Sequence, residues 1–116
     1  MAIQGVFTLP ANTNFGVTVL INTSLVQTVT VFVGGVQRGT FVGVGTGDIN
    51  LGTKIFNSGA GGGPVKITVT ANGRAADLVS AQLVLTNKLN VAIVGSEDST
   101  DADYNDAIAL LNWPLG

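Results

Sequence analysis

Val65-Lys66-Ile67-Thr68-Val69-Thr70 is the stretch that sets the fold class. On an extended chain Val65, Ile67 and Val69 point to one face and Lys66, Thr68 and Thr70 to the other. β-Branched residues of this kind suit a half-buried pleated surface. Thr28-Val29-Thr30-Val31-Phe32-Val33 repeats the pattern, and further strands are expected over 4–9, 15–21, 36–43, 51–56, 78–86, 89–95 and 106–112. Turn signals separate them at Gly34-Gly35, from Gly43 to Asp48, from Asn57 to Pro64, and at Asn72-Gly73. About nine strands at roughly ten-residue spacing predict an all-β fold. The expected architecture is an antiparallel β-sandwich, with residues 1–116 forming a single domain.

Composition narrows the chemistry. Hydrophobic residues make up 46% of the chain and charged residues 10%, well below the usual charged share of a soluble domain. No apolar run approaches the roughly 20 residues of a spanning helix, so no membrane insertion is expected. The apolar excess instead predicts a chain that buries surface in an oligomer as well as in its own core. Cysteine and histidine are both absent. That removes disulfides, thiolate metal sites, triad-type catalysis and nearly all zinc chemistry. A net charge of −2 with five basic residues gives no footprint for nucleic acid. The start, Met1-Ala2-Ile3-Gln4-Gly5, lacks the basic and apolar segments of a classical signal peptide. The expected localisation is cytoplasmic, or the cell surface or medium by a non-classical route.

The glycine cluster Gly59-Ala60-Gly61-Gly62-Gly63-Pro64 is read as a strand connection. It lacks the Lys-Ser/Thr and the following helix of a phosphate loop.

The informative segment is Gly95-Ser96-Glu97-Asp98-Ser99-Thr100-Asp101-Ala102-Asp103-Tyr104-Asn105-Asp106. Of the seven acidic residues in the chain, five fall between Glu97 and Asp106, while Asp48 and Asp77 lie apart in sequence. Carboxylates at such spacing repel one another unless a cation neutralises them. Oxygen donors, with no nitrogen or sulfur ligand available, select calcium over transition metals. Magnesium suits the cluster less, because it prefers few protein ligands and keeps its waters. An EF-hand does not fit: its sixth position would be Asp106 instead of glycine and its twelfth Asn112 instead of glutamate. The carboxylates outnumber the charge of one calcium ion, so two adjacent ions sharing bridging carboxylates are expected. An ordinary acidic surface loop is the alternative.

These residues resemble the LecB-type bacterial soluble lectins, which bind fucose and mannose through two calcium ions. The resemblance spans Gln4-Gly5-Val6-Phe7-Thr8-Leu9-Pro10-Ala11-Asn12, Asn72-Gly73-Arg74 with Asp77-Leu78-Val79-Ser80, the acidic segment, and Leu111-Asn112-Trp113-Pro114-Leu115-Gly116. It implies a lectin and not an enzyme. By the resemblance, Glu97 and Asp101 match ligands of one calcium ion, and Asp103 and Asp106 match the pair bridging both. Asn22 and Asn105 match ligands of the second ion through side-chain oxygens, or in part through the Asn22 backbone oxygen. Asp98 matches a residue that hydrogen-bonds the sugar without holding metal.

The terminal carboxylate of Gly116 matches a ligand donated by a neighbouring subunit, which implies a homodimer through the C-terminus and usually a tetramer. Thr23-Ser24-Leu25 occupies the stretch where sugar preference is set: serine at the first position goes with fucose and alanine with mannose, and threonine is neither. Thr46 matches a position near the fucose methyl, and Ser99 stands where the family has glycine. The partners implied are fucose- or mannose-containing glycans. A glycosidase would need a carboxylic acid of raised pKa, which calcium ligation opposes. A calcium-stabilised adhesion module without a sugar site stays open at this point.

Overall fold

The runs 15–21 and 28–33 are halves of one strand. The computed structural model describes residues 3–86, 88–98 and 103–116. Its strands are β1 (Val6–Leu9), β2 (Asn14–Val33), β3 (Val36–Asn57), β4 (Gly63–Ala71), β5 (Arg74–Ala75), β6 (Asp77–Leu85), β7 (Leu89–Glu97) and β8 (Ala107–Trp113). Among the described residues there is no helix. The runs 36–43 and 51–56 likewise merge into β3, and the expected turn from Gly43 to Asp48 lies inside that strand. β5, a two-residue strand beyond the Asn72-Gly73 turn, adds one element to those expected.

Every pairing is antiparallel, in the order β1-β4-β2-β8-β7-β6 with β3 along β2. One edge of β2 changes partner halfway: Gly16 to Ile21 pair with β8, and Gln27 to Val33 pair with β4. The two halves therefore belong to the two layers of the sandwich. The Gly5 amide donates to Ser80 Oγ at 2.8 Å, drawing the approach to β1 against β6 and nearly closing the sheet.

Alternation decides what lies between the layers. Phe15, Val17, Val19 and Ile21 point inward from the first half of β2, and Val29, Val31 and Val33 from the second. Val65, Ile67 and Val69 meet them from β4, as do Ala92, Val94, Ala109, Leu111 and Trp113 from β7 and β8. Each fully buried aliphatic or aromatic side chain contributes about 1.5–3 kcal/mol relative to exposure. Asn72 and Gly73 have φ of 49° and 82°, as their hairpin turn requires.

Of the four irregularities in the β2–β3 ladder, two flank the Thr23↔Gly45 pair. Between Ile21↔Ile49 and Thr23↔Gly45, β3 carries the surplus residues, at 46–48. Between Thr23↔Gly45 and Gln27↔Gly43, β2 carries them, at 24–26. Such bulges bend a strand and redirect its side chains. Here both fall beside one ladder pair, at the same end of the molecule as the acidic segment.

Candidate calcium and sugar site

Four segments meet at that end: Asn22 and Thr23 of β2, the β3 bulge, the end of β7 with Asp98, and residues 103–106 leading into β8. Backbone bonds fix the arrangement. Asn22 N donates to Asp106 O at 2.9 Å, and Asp106 N donates to Ser96 O at 3.1 Å. The buried Ser96 hydroxyl donates to Ala107 O at 3.0 Å and accepts from Ala107 N at 3.1 Å. A Cβ at Gly95 would fall 2.5 Å from the Tyr104 carbonyl oxygen, so only glycine lets the loop lie against β7 here.

Glu97, Asp103 and Asp106 each present a carboxylate oxygen within 4.8 Å of the others'. Oxygens at 2.3–2.6 Å from a shared calcium ion lie within about 5 Å of one another, so the spacing suits that ion. Glu97 and Asp106 are buried, and Asp103 is exposed. Tyr104 N donates to Glu97 Oε1 at 3.1 Å and Asp98 N donates to Asp106 Oδ2 at 2.9 Å. The Asp106 carboxyl is raised from 3.8 to about 7. Burial is the main cause, reinforced by the Asp98 and Glu97 carboxylates and opposed by the Asp98 N–H.

The Asn105 amide end lies 2.9 and 3.0 Å from the two carboxylate oxygens of Asp103. With its nitrogen there it donates to both. With its oxygen there, three oxygens crowd together as ligands of a shared cation do.

Asn22 is held by two neighbours. Its Nδ2 donates to Asp48 Oδ1 at 2.6 Å and to Asn105 O at 3.2 Å, while Asp48 N donates back to its Oδ1 at 2.6 Å. The side chain is thus engaged at both ends, which leaves its main-chain carbonyl as the better donor for an ion. Asp98 is gripped on one oxygen: Thr23 Oγ1 donates to its Oδ2 at 2.9 Å and Gln27 Nε2 at 3.0 Å. Thr23 Oγ1 also accepts from Leu25 N at 3.2 Å.

Ser24 and Thr46 are exposed, one on each of the facing bulges. Asp101, like Ser99, lies outside the described residues. Gly116 is not brought to this cluster. β8 runs away from it, from Ala107 opposite Ser96 to Trp113 opposite Asn90, a span of roughly 20 Å at about 3.3 Å per residue.

Sequence reasoning passed over two residues. Asp48 reaches the site through the β3 bulge. Gln27 is the second, and the alternation carried a sign of it: it extends the inward series Val29, Val31 and Val33. An amide on a valine face needs a partner.

The model of the fucose-binding lectin II (PA-IIL) family matches residues 7–115. Comparison with curated proteins returns no match. Among solved structures, the chain is 65% identical to the Chromobacterium violaceum lectin CV2L in complex with α-methyl-fucoside, with a TM-score of 0.93 over 99% of this chain and 100% of that one. It is 59% identical to a Ralstonia solanacearum high-affinity mannose-binding lectin, with the same TM-score and coverage. To the C-terminal domain of the BC2L-C lectin from Burkholderia cenocepacia it is 44% identical, with a TM-score of 0.89 over the whole of both chains. With a sandwich of matching shape and a family match spanning nearly all its strands, the chain belongs to the fucose-binding lectin II (PA-IIL) family.

Proposed function

We propose that the protein is a calcium-dependent lectin that binds fucose and mannose through two calcium ions. The observation that carries this reading is the convergence of Glu97, Asp103 and Asp106 within 4.8 Å, in a chain with no nitrogen or sulfur ligand to offer. Glu97, Asp101, Asp103, Asn105, Asp106 and the Asn22 carbonyl would hold the ions, which when bound offer coordination sites to vicinal sugar hydroxyls. The chain's own part is to keep these oxygens grouped and to orient the sugar. Asp98 has one carboxylate oxygen gripped by Thr23 and Gln27, so its Oδ1 is the oxygen turned to a sugar hydroxyl. Such a charge-assisted bond is stronger than a neutral one. Ser24 and Thr46, exposed on the two facing bulges, would contact the sugar. A relative holding α-methyl-fucoside and another described as mannose-binding support both sugars as ligands.

A second copy of the chain belongs to the same reading. The outer face of β6 and β7 carries Val79, Leu83, Leu85, Leu89 and Ile93, all exposed. Val79 and Ile93 border Asp103 and Tyr104, so this apolar face runs up to the acidic loop. A copy packed there would cover the face, and its own Gly116 carboxylate would reach the ions that this chain's Gly116 cannot.

Calorimetric titration with fucose and with mannose, in calcium and after chelation, tests the proposal. Both sugars are expected to bind with calcium present and neither without it. Binding that survives thorough chelation would end the calcium reading; no binding of either sugar in calcium would end the lectin reading.

A further inference from the structure

Gln27 is fully buried, yet it is polar. It sits where the β2–β3 ladder resumes after the β2 bulge, on the inward face shared with Val29 and Val31. Its Nε2 donates in two directions, to Leu25 O at 3.2 Å and to Asp98 Oδ2 at 3.0 Å. Its Oε1 finds no donor among the described residues. A side chain serving only to fill this volume would be better made of carbon, because a buried acceptor without a donor is costly. The donor end accounts for the amide. It joins the backbone of the stretch that sets sugar preference to the carboxylate assigned to the sugar.

We infer that Gln27 is a positioning residue for sugar recognition, locking Asp98 so that Oδ1 faces the sugar whatever residue occupies position 23. The inference rests on the lectin reading above. Thr23 and Gln27 donate to the same oxygen, and the two differ in reach. The Thr23 hydroxyl is attached to the bulged segment, whereas the Gln27 amide comes up from the core and is fixed by packing. When position 23 loses its hydroxyl, Gln27 still holds Oδ2, and Asp98 keeps its orientation. Asp98 is not among the residues expected to hold calcium. Gln27 therefore acts on sugar affinity and leaves the metal alone, which a purely structural residue would not do.

The test is Gln27→Met, which keeps the shape and removes the donor. Calcium binding is titrated first with the metal alone, then fucose and mannose are titrated into the calcium-loaded protein. The expected result is calcium affinity within about twofold of wild type and sugar affinity lowered about tenfold, the scale of one charge-assisted hydrogen bond. Thr23→Ala should cost more in the Gln27→Met background than alone, because the two donors share one acceptor. A folded variant that binds sugar as wild type does overturns the inference, and so does one that loses calcium and sugar in parallel. If Gln27→Met does not fold, the side-chain amide signals of Gln27 in calcium-loaded wild-type protein decide. They should shift when fucose is added, and signals that stay put overturn the inference. A wild-type protein that binds neither sugar overturns the lectin reading itself, so the two failures are distinguishable.

Discussion

Asn22 and Asp48 hold each other by a reciprocal pair of 2.6 Å hydrogen bonds across the β2–β3 bulge. Asp48 has φ of 56°, a conformation that glycine accepts without strain. Asp48→Gly should therefore remove the carboxylate that Asn22 Nδ2 donates to, keeping the backbone N–H that holds Asn22 Oδ1 and leaving the fold intact. Calcium affinity is expected to fall about tenfold, with the metal-free melting temperature within a few degrees of wild type. Asp48→Asn keeps an acceptor oxygen and should stay within about threefold of wild type. Metal titration by calorimetry reads both, and a Gly variant of undiminished affinity would show that the pair does not support the site.

Asp103→Ala removes a carboxylate assigned to both ions and should weaken calcium and sugar binding together, each by more than the tenfold that about 1.4 kcal/mol represents. Asp77→Asn provides the contrast. Its carboxylate stands opposite Glu97 but outside the grouped oxygens, so a change below about threefold is expected. Equal losses in the two variants would place the metal elsewhere.

The Asp106 carboxyl gives the site a pH dependence of definite sign. Without metal, the folded protein holds the Asp106 proton up to pH about 7, while the unfolded chain releases it near 3.8. The folded state binds more protons over that interval, so metal-free stability declines as pH rises from about 4 to about 7. Calcium needs the ionised form, so its apparent affinity should climb over the same range and level off above it. Binding should release more proton at pH 6 than at pH 8. Calorimetry in buffers of different ionisation enthalpy measures this, and no release at pH 6 would contradict the assignment.

Thr23 directs its hydroxyl to Asp98, the carboxylate assigned to the sugar. Fucose is expected to retain a modest advantage. Thr23→Ala should move the fucose-to-mannose affinity ratio toward mannose by tenfold or less, since one such bond contributes about 0.5–1.5 kcal/mol net. A ratio unchanged by the substitution would mean that the hydroxyl takes no part in selection.

The apolar face of β6 and β7 yields a prediction about assembly. Ile93, exposed between Ala81 and Leu110 in the ladders, becomes a charge in Ile93→Arg. If a second copy covers this face and completes the site, light scattering should show a smaller species and calcium affinity should fall with it. A monomeric wild-type protein with full calcium affinity would remove the second copy from the proposal.

Much of this was legible from residue order, and what escaped shares one cause. The Val65–Thr70 alternation and the Asn72-Gly73 turn are local features, and both stand as read. The acidic segment was equally plain, because a cluster of like charges shows without any fold. The residues from Gly43 to Asp48 carried true turn signals, yet they run on within β3 and include its bulge at 46–48, since glycine and left-handed φ serve both. Only the partner strand distinguishes the two. Asp48 escaped for the same reason: its contact with Asn22 spans 26 residues.

The surplus residues at 24–26 and 46–48 are those the β2–β3 ladder does not count. Within the limits set by the positive φ of Gly47 and Asp48, the ladder partners before and after them depend on their number more than on their kind. Exposed side chains such as Ser24 and Thr46, assigned above to the sugar, can therefore vary more readily than the buried valines behind them. A fold arranged this way can be retuned toward a new glycan by editing the bulges, with the scaffold left as it stands.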